Sequence, residues 1–298
     1  DVYKRQAQVD LPYGPNDERW AHLLIEASKV AGFDRPEVLH DGADGEALLA
    51  SIAARSSLLN TNRAGQWPMP TRSGDTTYLC TTDSSGMGVS LIQSNAAGFG
   101  SWLVEPNTQI NLHNRGLGFN LRPGHRAELA PNRRPPHTLS PALATRGDAL
   151  AAVFGTMGGD AQPQILLQLA TRLFHHGQSP ATAMHAARFG LAGPETGFDT
   201  WTAPSAPIVE IEGHAPANWT QGLSTRGHTT VGRAAYSSDF GHAQVIMRDA
   251  NGTWADASDP RAEVGTVAGG RPDGRSLHPE GFGRRPPHNQ PSHHRWPD

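Results

Sequence analysis

Between residues 17 and 31, Trp20, Leu23, Leu24, Ala27 and Val30 recur at steps of three and four, the stripe of an amphipathic helix, and Gly32 offers a left-handed stop. A second helical stripe, with Leu48, Leu49, Ile52, Ala53 and Leu58, runs from Gly45 to about Asn60 and gives way to an irregular linker over 61–73. The period then shortens to two. Residues 76–82, the turn Asp83-Ser84-Ser85-Gly86 and residues 87–94 read as a β-hairpin, with Val89, Leu91 and Gln93 alternating against Ser90, Ile92 and Ser94. A flexible loop at 96–100 and a short strand over 109–112 follow. Residues 122–141, with five prolines, exclude regular helix.

Residues 150–154 predict an apolar strand that runs into Gly155-Thr156-Met157-Gly158-Gly159-Asp160. A helix follows over 163–176, with Pro163 in its first turn and Ile165, Leu166, Leu169 and Leu173 on one face. Ser179-Pro180 starts a short helix to about Arg188. The last third predicts a strand at 208–211, a helix at 217–225, a strand at 229–231, and a hairpin of 244–248 with 252–255. Strands clustered between helices, several in hairpins, favour antiparallel sheet layered by helices.

Glycine (33) and proline (24) make up about 19% of the 298 residues, against a usual ~12%, so the molecule is rich in loops. A net charge of -3 gives no electrostatic case for nucleic acid. No 18-residue apolar stretch exists to span a membrane. The first residues lack the pattern of a secretory signal. Localisation stays open, and a single Cys80, which cannot form an internal bridge, is compatible with the cytoplasm. None of the 15 histidines sits in a metal-ligand spacing, which predicts no metal. Residues 1–15 show no period and are read as a loose or foreign leader; after Gly270 a Pro-, Gly-, His- and Arg-rich tail predicts disorder.

Two places can carry chemistry. Thr76, in Gly74-Asp75-Thr76-Thr77, becomes an N-terminal nucleophile if the backbone breaks before it, and its own α-amine, with a pKa near 7.7–8.0, then serves as base. The same run is also what an ordinary half-buried strand looks like. Gly158-Gly159 joins a buried strand to a helix start, where unpaired N–H groups can hold an oxyanion, although such turns are often structural. Cys80 reads as a packed small hydrophobe rather than a nucleophile.

Residues 74–95, 100–119, 133–141, 154–189 and 258–261 together resemble the γ-glutamyltransferase family of N-terminal nucleophile hydrolases, over roughly residues 15–270. The resemblance implies an αββα four-layer sandwich with mostly antiparallel sheets, here with an incomplete large-subunit part. It implies a precursor that cuts itself before Thr76, leaving 16–75 as the end of a large subunit and 76–270 as the catalytic small subunit. It makes Thr76 the nucleophile, Ser94 the second hydroxyl that hydrogen-bonds it, and Gly158 and Gly159 the oxyanion glycines. Asn95, Asn114, Arg115, His137 and Thr138 fall on substrate-binding positions. No cofactor is implied; the partners are a small γ-glutamyl or acyl-amide substrate and the absent large-subunit region.

The sequence departs from the family's pattern in its acyl pocket. Two serines that grip the substrate carboxylate align with His137 and Thr138, and the acidic residue that holds the α-amine aligns with Gly118. A large-subunit arginine that pairs with the substrate carboxylate has no counterpart before Thr76. The implied activity is γ-glutamyl transfer or glutathione hydrolysis. Glutaryl- or cephalosporin-type acylase activity and a non-catalytic ligand-binding member are the alternatives.

Overall fold

The computed structural model describes residues 11–67, 76–193, 207–249, 251–270 and 276–277. Residues up to Gly265 form one compact unit. The chain from Thr266 groups separately; its described part is a minimal antiparallel pair, β10 (Gly269–Gly270) with β11 (Ser276–Leu277). The remainder of the tail, like residues 1–10, lies outside the described residues.

Helix α1 (Glu18–Gly32) is capped by the Asp17 carboxylate, which accepts from Arg19 N. It runs through Gly32 rather than stopping there, because Phe33 stays helical (φ -60°) and a one-turn helix α2 (Arg35–Val38) follows at once. The packed chain also begins before Pro15, since Leu11 is buried in the α1 core. Helix α3 (Gly45–Ala53) tightens into a 3-10 turn at Ala54–Leu58.

Strands β1 (Thr77–Thr82) and β2 (Gly88–Gln93) pair antiparallel as a two-stranded layer. They pack on a four-stranded antiparallel sheet ordered β3 (Ala142–Arg146), β4 (Ala149–Thr156), β8 (Ala243–Arg248), β9 (Trp254–Ser258). Two glycines make the contact possible. A Cβ on Gly155 would lie 2.2 Å from the Tyr78 ring, and one on Gly88 2.5 Å from Leu150 Cδ2. Tyr78 is buried, while Leu79, Val89 and Leu91 line the opposite, exposed face of the hairpin.

The far side of the four-stranded sheet is covered by α4 (Gln162–Ala170), the π-turn Thr171–His175 and α5 (Pro180–His185). Ile165, Leu169, Leu173 and Met184 fill that interface. Leu167, on the other side of α4, joins a second core built from α1, α6 (Ala217–Thr225), β5 (Phe189–Ala192) and β6 (Ile208–Glu212). Strand β5 pairs antiparallel with β6, and β6 pairs parallel with β7 (Thr230–Arg233). Helix α4 also serves the edge of β5: Phe189 N donates to Gln168 Oε1 (3.0 Å) and Leu191 N to Gln164 Oε1 (2.8 Å).

Strands β3 and β5 are absent from the sequence reading, and the short strand over 109–112 reduces to one bridge, Val104 with Asn111. Gln109 sits at φ +57°, which ends any extended run there.

Candidate active site

Thr76 is half-buried and immediately precedes β1. In the hairpin Thr77 faces Gln93, so one further step of the same antiparallel register sets Thr76 opposite Ser94. The Ser94 hydroxyl accepts from Ala96 N (3.0 Å), and the turn is pinned from outside: Ala97 N donates to Asn114 Oδ1 (3.0 Å) and Asn114 N to Asn95 O (3.0 Å). Asn95 and Asn114 thereby fix the loop that carries Ser94. Cys80, nearby on β1, has its thiol pushed up to about 11 by burial, leaving it a protonated, packed side chain.

The second wall is the turn at the end of β4. Gly158 (φ +134°) and Gly159 (φ +54°) both occupy backbone regions that favour glycine, and both are buried. Their carbonyls accept from Ala161 (2.9 Å) and Gln162, which leaves the two glycine N–H groups outside the turn's own bonds. Gly241 backs the turn so closely that a Cβ there would meet Thr156 Oγ1 and Ile165 Cδ1 at 2.6 Å. Tyr78 lies two residues after Thr76 and Gly155 three before Gly158, so the ring-on-glycine contact ties the two halves of the site together.

Three segments meet beside this turn. Arg115 opens a 3-10 turn, Arg115–Gly118, whose last residue is buried against Pro136: a Cβ on Gly118 would stand 2.7 Å from the Pro136 carbonyl oxygen. His137 and Thr138 follow Pro136, and His137 Nδ1 accepts from Leu139 N (3.2 Å). Asp160, directly after Gly159, has a buried carboxylate ion-paired with Arg35 of α2. Burial, then Arg115, Arg35 and Arg134, hold the His137 imidazole below its ordinary range, so it is neutral at pH 7. Burial also lowers Arg115 and the Asp160 charge opposes that shift.

The residues expected from sequence thus fall into three groups: Thr76 with Ser94, Asn95 and Asn114; Gly158 with Gly159; and Arg115 with His137 and Thr138. Arg35, Asp160 and Gln162 complete the third group and were not anticipated. Asp160 and Gln162 stand in plain view in Gly158-Gly159-Asp160-Ala161-Gln162, whereas nothing in the local sequence marks Arg35.

Among the described residues one cluster has metal-ligand spacing: His22 and Glu26 of α1 with His228. Lys29 already occupies it. Its ammonium donates to Glu26 Oε1 (3.0 Å), Gly65 O (3.3 Å) and His228 Nδ1 (3.4 Å). His228 Nε2 then bonds His22 Nδ1 (2.8 Å), and His22 Nε2 bonds Asn60 O (2.8 Å). The side-chain nitrogens and oxygens of His22, Glu26, Lys29 and His228 are each paired with protein groups.

A hairpin and a four-stranded sheet packed face to face, with helices on the far side, define an N-terminal nucleophile hydrolase fold, with a hydroxyl residue at the entry of its first strand. The family model described as gamma-glutamyltranspeptidase matches residues 6–269, and the chain belongs to that family. It is 34% identical over 260 residues to an oxamate amidohydrolase proenzyme from Klebsiella pneumoniae subsp. pneumoniae, covering 85% of this chain and 48% of that protein. It is 31% identical over 251 residues to a glutathione hydrolase-like proenzyme from Bacillus subtilis, covering 83% and 46%. A solved cephalosporin acylase from Bacillus halodurans superposes with a TM-score of 0.75 at 30% identity, over 90% of this chain and 48% of that one. The chain spans about half the length of each of these proteins.

Proposed function

We propose that the protein is an amidohydrolase of this family whose precursor is cut before Thr76, and that its acyl group carries a carboxylate without a neighbouring ammonium. Thr76 Oγ1 attacks the amide carbonyl and passes its proton to its own α-amine. The Gly158 and Gly159 N–H groups receive the developing oxyanion. The α-amine returns the proton to the leaving nitrogen as the C–N bond breaks, and water then hydrolyses the Thr76 ester. The register that sets Thr76 opposite Ser94, within the same packed layers as the Gly158-Gly159 turn, supports the chemistry most directly.

Gly118 supports the choice of acyl group. An α-amine needs an acidic partner, and the Pro136 carbonyl leaves no space for one at 118. The name of one relative, oxamate amidohydrolase, agrees with an acid lacking that amine. γ-Glutamyl transfer or glutathione hydrolysis is the second reading, favoured by the family as a whole and by the glutathione hydrolase-like relative. Parallel assays of the full gene product on γ-glutamyl and glutaryl anilides separate the two. A glutaryl preference is expected; a γ-glutamyl preference returns the assignment to the second reading, and Thr76→Ala should abolish turnover of either.

A further inference from the structure

Three buried polar atoms around the Gly158-Gly159 turn have no hydrogen-bond partner among the described residues: Arg115 Nη2, Gln162 Nε2 and Asp160 Oδ2. A buried polar group left unpaired costs stability, so three of them in one neighbourhood point to a ligand that pairs them. They do belong to one neighbourhood. Asp160 and Gln162 share the turn that starts at Gly159, the Asp160 charge acts on Arg115, and His137 feels both Arg115 and Arg35. Gln162 is fully buried and Asp160 is 3% exposed, so neither can reach bulk water by a change of rotamer alone.

Gln162 and Asp160 are each aimed by a bond made with their other atoms. Gln162 Oε1 accepts from Ser140 N (3.0 Å), which fixes the amide with its Nε2 donors turned away from that bond. Asp160 Oδ1 accepts from Arg35 and Oδ2 is left without a partner among the described residues. Arg35 offsets the charge of Asp160 and His137 is neutral, so among the described residues of this cluster Arg115 leaves a net charge of one positive.

We propose that Arg115, Gln162 and Asp160 form the subsite that selects the acyl group. It takes a carboxylate from the N–H groups of Arg115 and Gln162, with one N–H or O–H of the substrate donated to Asp160. This deepens, and rests on, the amidohydrolase reading above. The charge count favours a monoanionic acyl group. A zwitterionic aminoacyl group brings no net charge and leaves the cluster with its net positive charge. Because the subsite begins at the residue after Gly159, the carboxylate sits a short reach from the carbonyl held by the glycine N–H groups.

The test uses the full gene product, wild type, Arg115→Gln and Gln162→Glu, with two anilides that share the reacting carbonyl and differ only at the far end: glutaryl and pentanoyl. Gln162→Glu keeps the acceptor for Ser140 N and replaces only the donor, so it remains informative if Arg115→Gln fails to fold. The ratio of kcat/KM for glutaryl over pentanoyl is expected to fall about 10- to 100-fold in each variant, the loss of a hydrogen bond to a charged group. Calorimetric binding of glutarate should weaken in step. An equal fall on both anilides, or an unchanged ratio with unchanged glutarate binding, overturns the subsite. If wild type turns over neither anilide yet binds glutarate, and the variants do not, the subsite stands and amide hydrolysis falls. If wild type neither turns over an anilide nor binds glutarate, both fall.

Discussion

At Gly118 the absent side chain is enforced by its neighbour, since the Pro136 carbonyl oxygen stands 2.7 Å from where a Cβ would be. Restoring the acid with Gly118→Asp should therefore not create a γ-glutamyl enzyme. The added atoms displace the backbone at 135–136, at a cost on the order of 1–3 kcal/mol by overpacking, visible as a lowered Tm with no gain on a γ-glutamyl anilide. Ser94 is the contrasting case, a position where the proposed mechanism keeps a hydroxyl beside Thr76. Ser94→Thr should retain most of the activity and Ser94→Ala lose about 10- to 100-fold in kcat, measured on the acyl anilide the enzyme prefers. Thr76 and the two glycines stood out in the sequence only as candidates beside plain strand and turn readings, and Ser94 entered through the family resemblance rather than through its own segment. Arg35 was not legible, because its ion pair with Asp160 joins residues 125 apart. The closed-off Gly118 was legible as a missing acid, but the reason for it lies in the approach of a separate proline segment.

The β1–β2 hairpin owes its seat to Gly155 and Gly88, which admit the Tyr78 ring and the Leu150 side chain against bare backbone. Gly155→Ala should lower the Tm by several degrees, and Tyr78→Leu in the same chain should recover part of the loss, giving a clearly non-additive pair. Helix α1 holds a different element in place. Through Glu26, Lys29 and His22 it grips Asn60 and Gly65, the chain that leads towards Thr76. Burial, with Lys29 and Arg226 nearby, lowers His22 to about 4 and His228 to about 3. The unfolded chain binds those two protons near pH 6.5 and the folded chain does not, so stability should be full above that pH and fall as pH drops towards 4. Glu26, raised by burial, opposes the fall at its lower end. Thermal melts from pH 7.5 to 4.5 check this, with a flatter profile expected for His228→Gln. Long periodic elements such as α1, α4 and α6 were readable to within a few residues. Strands β3 and β5 were not, because Ala142-Leu143-Ala144 and Phe189-Gly190-Leu191 are short and acquire their extended form from β4, β6 and the glutamine side chains of α4.

Across the whole molecule, α4 separates two cores, and the core on its α1 side is made from both sides of the proposed cut. Trp20, before Thr76, is fully buried and stacks on Trp219, after it, with ring centroids 5.8 Å apart. Leu23, Leu24 and Ile25 pack in the same cluster as Phe189, Val209 and Leu223. A cut before Thr76 should therefore leave the pieces associated, co-eluting on gel filtration in buffer and separating only in denaturant. Arg188, Asp259, Arg261 and Glu212 add a buried ionic network across the ends of β5, β6 and β9, where loss of one partner leaves a buried charge uncompensated. The most direct test of the central claim is the denatured mass of the purified full gene product, followed by sequencing of any new amino terminus. A break between Asp75 and Thr76 is expected, with Thr76 as the first residue of the carboxyl-terminal piece and no break in Thr76→Ala. An intact chain that hydrolyses amides, or a break that persists in Thr76→Ala, would contradict it.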